Sequence, residues 1–125
     1  MRENIPSPSP YAPILGFSAA VKAGNYVFVS GTVGRRADGS FAEDVYEQTR
    51  QALENIGAVL AQAGASLNDV VRTRMFVLNV DAVDDIARAH REAFADVMPA
   101  STIVEVSRLA ASSMLIEIEV DAYVA

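Results

Sequence analysis

The sequence contains no cysteine and a single histidine, His90. Without cysteine, the chain can form no disulfide, no catalytic thiolate and no Cys-ligated zinc or iron–sulfur site. One histidine, with neither an HExxH pattern nor an Asp-rich calcium loop, also makes a dedicated metal site an unattractive prediction. We therefore expect no bound metal.

Long apolar runs and clusters of basic residues are also missing. No apolar run approaches the roughly 20 residues that cross a bilayer, so we expect no membrane partner. The first residues, "MRENIPSPSPYAP", lack the apolar h-region and the cleavage site of a secretory signal. These absences fit a cytoplasmic protein. A formal net charge of −6 without a dense Lys/Arg run argues against nucleic-acid binding.

The chain has enough apolar residues for one core. At 125 residues and 51% hydrophobic composition, it suits a single domain that spans residues 1–125. Four of its five prolines fall within residues 1–13. Because proline removes a backbone donor and fixes φ, we predict an extended, irregular N-terminal arm there rather than regular structure.

Hydrophobic periodicity predicts the remaining elements. "FSAAVKAGNYVFVSGTVG" indicates two strands that meet at Gly24-Asn25. Helical spacing over residues 44–63 predicts a first helix that Gly64 ends. A second helix is predicted to begin at a cap formed by Asp81 and Asp84. Its apolar stripe comprises Val83, Ile86 or Ala87, His90 and Phe94. "DVVRTRMFVLNV", "STIVEV" and "MLIEIEVDAYVA" are predicted strands.

The predicted order is β-β-α-β-α-β-β, which indicates an α+β fold with both helices on one face of a sheet. Strand alternation assigns the aliphatic residues to the helix side: Val27, Val29, Val71, Met75, Val77, Val104, Val106, Ile116, Ile118 and Val120. The opposite side collects apolar residues mixed with charges of both signs: Phe28, Arg72, Arg74, Phe76, Ile103, Glu105, Leu115, Glu117 and Glu119. Such a mixture favours an interface between copies of the chain. A water-facing sheet with incidental apolar residues is the alternative.

Several blocks resemble those of the YjgF/Rid family. They are "AVKAGNYVFVSGTVG", "DVVRTRMFVLNV", "EAF" and "PASTIVEVSRLA" followed by "LIEIEVDA", in family order and at family spacing. The resemblance implies a fold like bacterial chorismate mutase, with a mixed sheet and a barrel-centred homotrimer. It also implies ligand clefts between subunits and cofactor-free hydrolysis of enamines and imines such as 2-aminoacrylate.

The sequence departs from that family at positions that matter for binding. The place of the family's carboxylate-binding arginine is occupied by Ser101, and a hydroxyl cannot form the charged fork of an arginine. A family tyrosine corresponds to Phe17, an asparagine to Ala87 and a cysteine to Ile103. The family's glutamate and its glycine-containing loop are kept, as Glu117 and Ser30-Gly31. The resemblance therefore implies a small-molecule ligand other than 2-aminoacrylate.

Two charged residues are candidates for the missing chemistry. Arg74 stands where the family has an uncharged threonine, and it either binds an anionic ligand or pairs with Glu105, Glu117 or Glu119. Glu117 is either a general acid/base, if its surroundings raise its pKa, or an ion-pair partner of Arg72 or Arg74. If both functional roles hold, an anion holder lies beside a proton shuttle.

Hydroxyl and imidazole groups supply further candidates. His90 is either a hydrogen-bonded histidine in the apolar stripe or a proton-transfer group. Ser101 and Thr102 offer hydroxyls to a ligand or simply open their strand. A serine hydrolase is not expected, because no pattern pairs Ser101 with a base and an orienting acid.

Two functions remain open at this level. One is a cofactor-free hydrolase or deaminase whose cleft has Phe17 and Phe28 as an apolar wall. The other is a non-catalytic trimer that binds a small molecule or a protein.

Overall fold

Six strands and three α-helices make up the computed structural model, which describes residues 1–125. The helices are α1 (Ala12–Leu15), α2 (Val45–Gln62) and α3 (Val83–Phe94). The strands are β1 (Arg2–Ile5), β2 (Ala20–Ala23), β3 (Tyr26–Val33), β4 (Val70–Val77), β5 (Ala100–Glu105) and β6 (Ile116–Tyr123). They form one sheet in the order β1-β2-β3-β6-β4-β5, in which only β4 and β5 are parallel. The predicted α+β fold with a mixed sheet is confirmed.

The core lies between the two long helices and one face of this sheet. Val27, Ile116, Ile118 and Val120 have no exposed surface, as their alternation along β3 and β6 predicts. They pack with the buried stripe of α2, formed by Ala52, Ile56 and Leu60. Burial of these apolar side chains is the main favourable contribution to folding. None of the helices combines the length and apolar character that a bilayer crossing requires.

Local signals place α2 and the first hairpin where they were predicted. Asp44 Oδ1 accepts a hydrogen bond of 2.7 Å from the backbone N–H of Tyr46 and so caps the start of α2. Gly64 follows its last turn with a φ of +78°, a left-handed conformation that favours glycine. In the hairpin, Ala23 pairs with Tyr26 across the Gly24-Asn25 turn.

A buried glutamine ties α2 to the start of β6. Gln48 is 1% exposed, and its amide donates to the carbonyl oxygens of Ala42 and Ser113 at 2.7 and 2.8 Å. Its Oε1 accepts from the backbone N–H of Leu115 at 2.9 Å. Because every polar atom of this side chain has a partner, its burial leaves no uncompensated desolvation cost. The amide therefore fixes the position of the chain at the start of β6.

The prediction of an irregular segment over residues 1–13 is wrong at both of its ends. Residues 2–5 form β1, in which Arg2 pairs with Ala23 and Ile5 with Ala20. The first proline is Pro6, so these four residues keep the N–H groups that a sheet requires. Pro13 lies in the first turn of α1, where its missing N–H costs no helical hydrogen bond.

The start of the second long helix also differs from the prediction. Asp81 does not cap α3; instead a 3₁₀ turn, Val80–Ala82, precedes it, and Asn79 Oδ1 accepts from the Asp81 N–H at 3.0 Å. The second apolar residue of the predicted stripe, Ile86, is buried, whereas Val83 is 40% exposed. Val83 borders a cavity described below, which accounts for its exposure.

A bulge in β4 overturns the assignment of Val71 to the core. Val70 pairs with Ala122 of β6, but the next pair is Arg72 with Asp121, so β4 carries one extra residue. Val70 consequently takes the core position at 3% exposure, while Val71 is 46% exposed. The strand regains the predicted alternation from Thr73 onward.

The two faces of β5 are reversed relative to the prediction. Its parallel register pairs Ser101 with Thr73 and Ile103 with Met75, and both partners are buried on the helix side. Ser101, Ile103 and Glu105 therefore share the helix side, and Val104 is 42% exposed on the open face. Each face of this six-residue edge strand carries one large aliphatic residue, so alternation alone could not assign its direction.

Two glycines provide a matched test of the packing between α2 and its neighbours. A Cβ on Gly34 would overlap the carbonyl oxygen of Gln48 and lie 2.8 Å from its Cα. We expect Gly34→Ala to lower the free energy of unfolding by at least about 1–3 kcal/mol, because backbone must move to admit the methyl group. The measurement is urea unfolding followed by circular dichroism.

The control is Gly57→Ala within α2. Its Cβ would meet Leu67 at an ordinary 3.7 Å, and alanine favours helix over glycine by about 0.8–1 kcal/mol, so this variant should gain stability. Equal stability of Gly34→Ala and the parent chain would contradict the packing.

Candidate functional site

The open face of the sheet carries an ion pair within one chain. Arg74 Nη1 lies 3.4 Å from Glu119 Oε1 and 3.2 Å from Asp121 Oδ2. Of the pair partners suggested by the sequence, only Glu119 is used, and Asp121 was missed. Two carboxylates face one guanidinium, so this arrangement does not favour binding of a further anion by Arg74.

The other two acids suggested as partners of Arg74 lie elsewhere. Glu105, on the helix side of β5, accepts from the backbone N–H of Val80 at 3.0 Å. Glu117 is half-buried on the open face and forms no ion pair. Burial raises the pKa of Glu117, and the negative charge of Glu119 raises it further. A carboxyl group with a raised pKa can exchange protons nearer to neutral pH.

The structure brings Gly31 next to Glu117. A Cβ at Gly31 would overlap Glu117 Oε2, so a side chain at this position would displace the carboxylate from its present place. Gly31 lies in an irregular part of β3, where the register against β6 shifts between Val29 and Thr32. At the neighbouring position, the Ser30 hydroxyl donates to the Ser18 carbonyl oxygen at 2.6 Å, and the Ser30 N–H donates to the Ala19 carbonyl oxygen at 2.9 Å.

A cavity of about 350 Å³ lies on the helix side, between α3 and the edge of the sheet. Its walls are mainly apolar and include Met75, Ile86, Ala87, Phe94 and Ile103. Ala87 and Ile103, which the resemblance assigned to a family asparagine and a family cysteine, both line this cavity. Their apolar side chains suit an apolar group of a ligand.

Two polar residues of α3, His90 and Arg91, also line the cavity. Arg91 was missed in the sequence, because it lies in the last turn of a helix, where basic residues are common. It is exposed and forms no ion pair. It is therefore the cationic group available to an acid in this cavity.

His90 belongs to a chain of three hydrogen-bonded side chains. Its Nε2 lies 2.9 Å from Thr73 Oγ1, which lies 2.7 Å from Ser101 Oγ. Thr73 has no exposed surface, and burial lowers the pKa of His90. The link between Ser101 and a histidine was invisible in the sequence, because the three residues come from β4, α3 and β5.

The remaining candidates lie apart from this hydrogen-bonded chain. Thr102 is the register partner of Arg74 on the open face. Phe28 is 45% exposed there, and its ring stacks on that of Tyr26 with centroids 6.0 Å apart. Phe17 follows α1 and is 37% exposed. No group of three or more His, Asp or Glu side chains converges in a way that could hold a metal ion.

The predicted site residues therefore divide between two surfaces of one chain. Glu117, Gly31, Arg74 and Thr102 belong to the open face, whereas the other group belongs to the helix side: Ala87, His90, Ser101 and Ile103. The sheet separates the two groups.

Comparisons with known proteins agree with the resemblance found in the sequence. A family model described as Endoribonuclease L-PSP matches residues 8–124. RutC family protein PH0854 of Pyrococcus horikoshii is 38% identical over 98% of both chains.

Solved structures extend the agreement to the fold. Rv2704 of Mycobacterium tuberculosis, described as a member of the YjgF/YER057c/UK114 family, superposes with a TM-score of 0.91 at 40% identity and covers 99% of this chain and 100% of its own. YyfA of Yersinia pestis, described as a Rid-family protein of unknown function, gives 0.86 at 32% identity, with the same coverage.

The surroundings of Glu117 lead to a pH prediction. We expect the carboxyl carbon of Glu117, followed by NMR, to titrate above the ordinary range of glutamate, because burial disfavours its charge. Glu119→Gln should lower this pKa only in part, since burial is the larger cause.

The raised pKa of Glu117 also determines how the stability of the fold depends on pH. Because the folded pKa lies above the unfolded one, the contribution of Glu117 is most favourable at low pH and is lost as pH rises through the folded pKa. Glu117→Gln should remove this part of the pH dependence. A Glu117 midpoint at or below the ordinary range would show that the carboxylate is stabilised instead.

Proposed function

This chain belongs to the YjgF/Rid family, and from that premise we propose that it binds a small metabolite in clefts between the copies of a homotrimer. The proposed reaction is the cofactor-free hydrolysis of an enamine, an imine or a related compound other than 2-aminoacrylate. Glu117 acts as the general acid/base.

The observation that carries this proposal is the division of the site between two surfaces. Gly31 and Glu117 are in contact on the open face, while Ala87 and Ile103 line the cavity on the helix side. One chain cannot enclose a ligand with both groups, because its own sheet lies between them. A second copy that places its open face against the β5 edge supplies the missing half.

The open face has the character of such a contact surface. Tyr26, Phe28 and Val104 are each more than 40% exposed, and Tyr26 also packs edge-on against Tyr123 with ring centroids 5.1 Å apart. Exposed aromatic and aliphatic residues on such a face are typical of protein interfaces. Three copies packed through this face would cover it.

The reaction needs little from the protein beyond positioning and proton transfer. A protonated imine, R₂C=NH₂⁺, reacts with water to give the ketone R₂C=O and NH₄⁺. Its carbon is already electrophilic, so the slow events are the loss of a proton by the attacking water and the gain of a proton by nitrogen. A carboxyl group whose pKa is raised by burial suits both transfers.

Ser101 sets the substrate apart from 2-aminoacrylate. Replacement of a bidentate arginine–carboxylate contact by a hydroxyl costs about 2–5 kcal/mol of binding. Arg74 already faces two carboxylates, whereas Arg91 lines the apolar cavity without a partner. These features favour a substrate with an apolar side chain.

A non-catalytic trimer is the second candidate. The apolar residues Ala87 and Ile103 in place of polar family residues favour this alternative, because they remove groups that could handle protons. RNA cleavage, the activity in the family description Endoribonuclease L-PSP, is disfavoured by a net charge of −6.

Assembly is the first test. Light scattering should return about three times the chain mass of 13.3 kDa. Phe28→Lys should reduce this mass, because it places a charge in the shared apolar surface yet faces Asp121 across the sheet and so keeps the single chain stable.

Ala58→Lys, on the exposed side of α2, is the control and should leave the mass unchanged. A single-chain mass for the parent protein at micromolar concentration would contradict the proposed cleft between copies.

Catalysis is tested by trapping imines with semicarbazide as they form. We expect this chain to accelerate the loss of the imine made from leucine by an L-amino-acid oxidase, and to act poorly on 2-aminoacrylate. Glu117→Gln should lower the rate by about 10²–10⁴-fold, since a positioned acid/base contributes that much.

Glu119→Gln is the matched control and should retain most of the activity. If the parent chain shows no rate above buffer but binds 4-methyl-2-oxopentanoate in calorimetry, the non-catalytic alternative is favoured.

A further inference from the structure

We propose that Ser101, Thr73 and His90 form a proton relay that serves a ligand at the β5 edge. The ligand class is an imine with an apolar side chain, whose nitrogen faces Ser101. This inference rests on the proposed function, and it adds a group that takes the proton of the attacking water, while Glu117 supplies the proton to nitrogen.

The three side chains form a continuous path from the cavity to the surface. His90 lines the cavity, Thr73 is fully buried, and Ser101 is exposed on the edge strand. The two links measure 2.9 and 2.7 Å, within the range of strong hydrogen bonds. A buried hydroxyl between two groups of this kind can pass a proton without exposing itself to water.

The path can run in either direction. With the proton of His90 on Nδ1, Nε2 accepts from Thr73, Thr73 accepts from Ser101, and the lone pairs of Ser101 face outward. With the proton on Nε2, each bond reverses, and Ser101 can donate to the ligand. The surface hydroxyl thus accepts or donates according to the tautomer of one histidine.

The surroundings of His90 keep it neutral. Its ring packs on Phe94 with centroids 4.8 Å apart, and the cavity around it contains no carboxylate. Burial lowers the pKa of His90, so a free imidazole is available at neutral pH. No acid orients the ring as in a serine-hydrolase triad, and the relay therefore suits an already electrophilic imine rather than an ester or amide.

The proton balance closes over two steps. Water adds to R₂C=NH₂⁺ and releases one proton to Ser101 Oγ, while the Ser101 proton moves to Thr73 and the Thr73 proton to His90 Nε2. The products are the carbinolamine R₂C(OH)NH₂ and a protonated His90. Protonated Glu117 of the partner subunit then gives one proton to nitrogen, the C–N bond breaks, and R₂C=O and NH₄⁺ leave. The proton held on His90 returns to the Glu117 carboxylate through water, so both groups are restored.

The cavity indicates the rest of the ligand. Ile103 lies two residues from Ser101 on the same face of β5, and it lines the cavity with Met75 and Phe94. A ligand whose imine faces Ser101 can therefore place an aliphatic or aromatic side chain in this space of about 350 Å³. Unpaired Arg91 offers a contact for a carboxylate on the same molecule.

The test uses Thr73→Val, Ser101→Ala and the control Ser40→Ala, which changes an exposed serine in the loop between β3 and α2, outside both groups of site residues. With the leucine-derived imine, Thr73→Val and Ser101→Ala should each lower kcat by about 10–10²-fold with KM within about twofold, and should change the solvent isotope effect. Ser40→Ala should match the parent chain. Parent-like kcat in both relay variants would overturn the relay.

A second readout separates the relay from the proposed function. His90 is the only histidine, so its ring nitrogens are unambiguous in ¹⁵N NMR. Ser101→Ala should shift the Nε2 resonance through Thr73, and it remains informative if Thr73→Val fails to fold. If the parent chain hydrolyses no imine, the proposed function fails and this spectrum alone decides the relay. A His90 spectrum unchanged by Ser101→Ala would overturn it.

Discussion

Side-chain alternation along β6 is the constraint on which the rest of the structure depends. Ile116, Ile118 and Val120 are fully buried against the helices, so Glu117 and Glu119 must point to the other face. Both long helices pack on one face of the sheet, and no helix of comparable length covers the face that carries these acids. The open face is therefore a consequence of how the core is made, and its charge is a consequence of the same strand.

The charges on that face do not balance within one chain, and the nearby negative charge adds to the effect of burial on the pKa of Glu117. Arg74 is shared by Glu119 and Asp121, which leaves Glu117 without a cation and close to another negative charge. Gly31 provides the space in which this carboxylate is half-buried. The raised pKa of Glu117 thus follows first from burial and then from the negative charge of Glu119.

The sequence predicted those parts of the fold whose signals are long and local. α2 has eighteen residues of helical period and an Asp44 cap, and β6 has an unbroken alternation. The prediction failed for short or irregular elements. β5 carries one large aliphatic residue on each face, so its direction was ambiguous. The bulge at Val71 depends on pairing with β6, which is distant in the sequence. The separation of the site into two surfaces follows from the register between strands, which residue spacing along the chain does not reveal.

Ser101, which the sequence assigned to the wrong face of β5, also bears on the proposed function. Because β5 turns Ser101 toward Thr73, the side chain at this position meets a buried hydroxyl, and under the proposed function it also meets a ligand. An arginine has donors only, so it could not accept the Thr73 proton, and the hydroxyl would then direct that proton to His90 alone. A serine both accepts and donates. In the proposed function, the serine that stands in place of a charged anchor is therefore also the residue that extends the path from His90 to the surface. One side chain cannot be both an arginine anchor and a hydroxyl link.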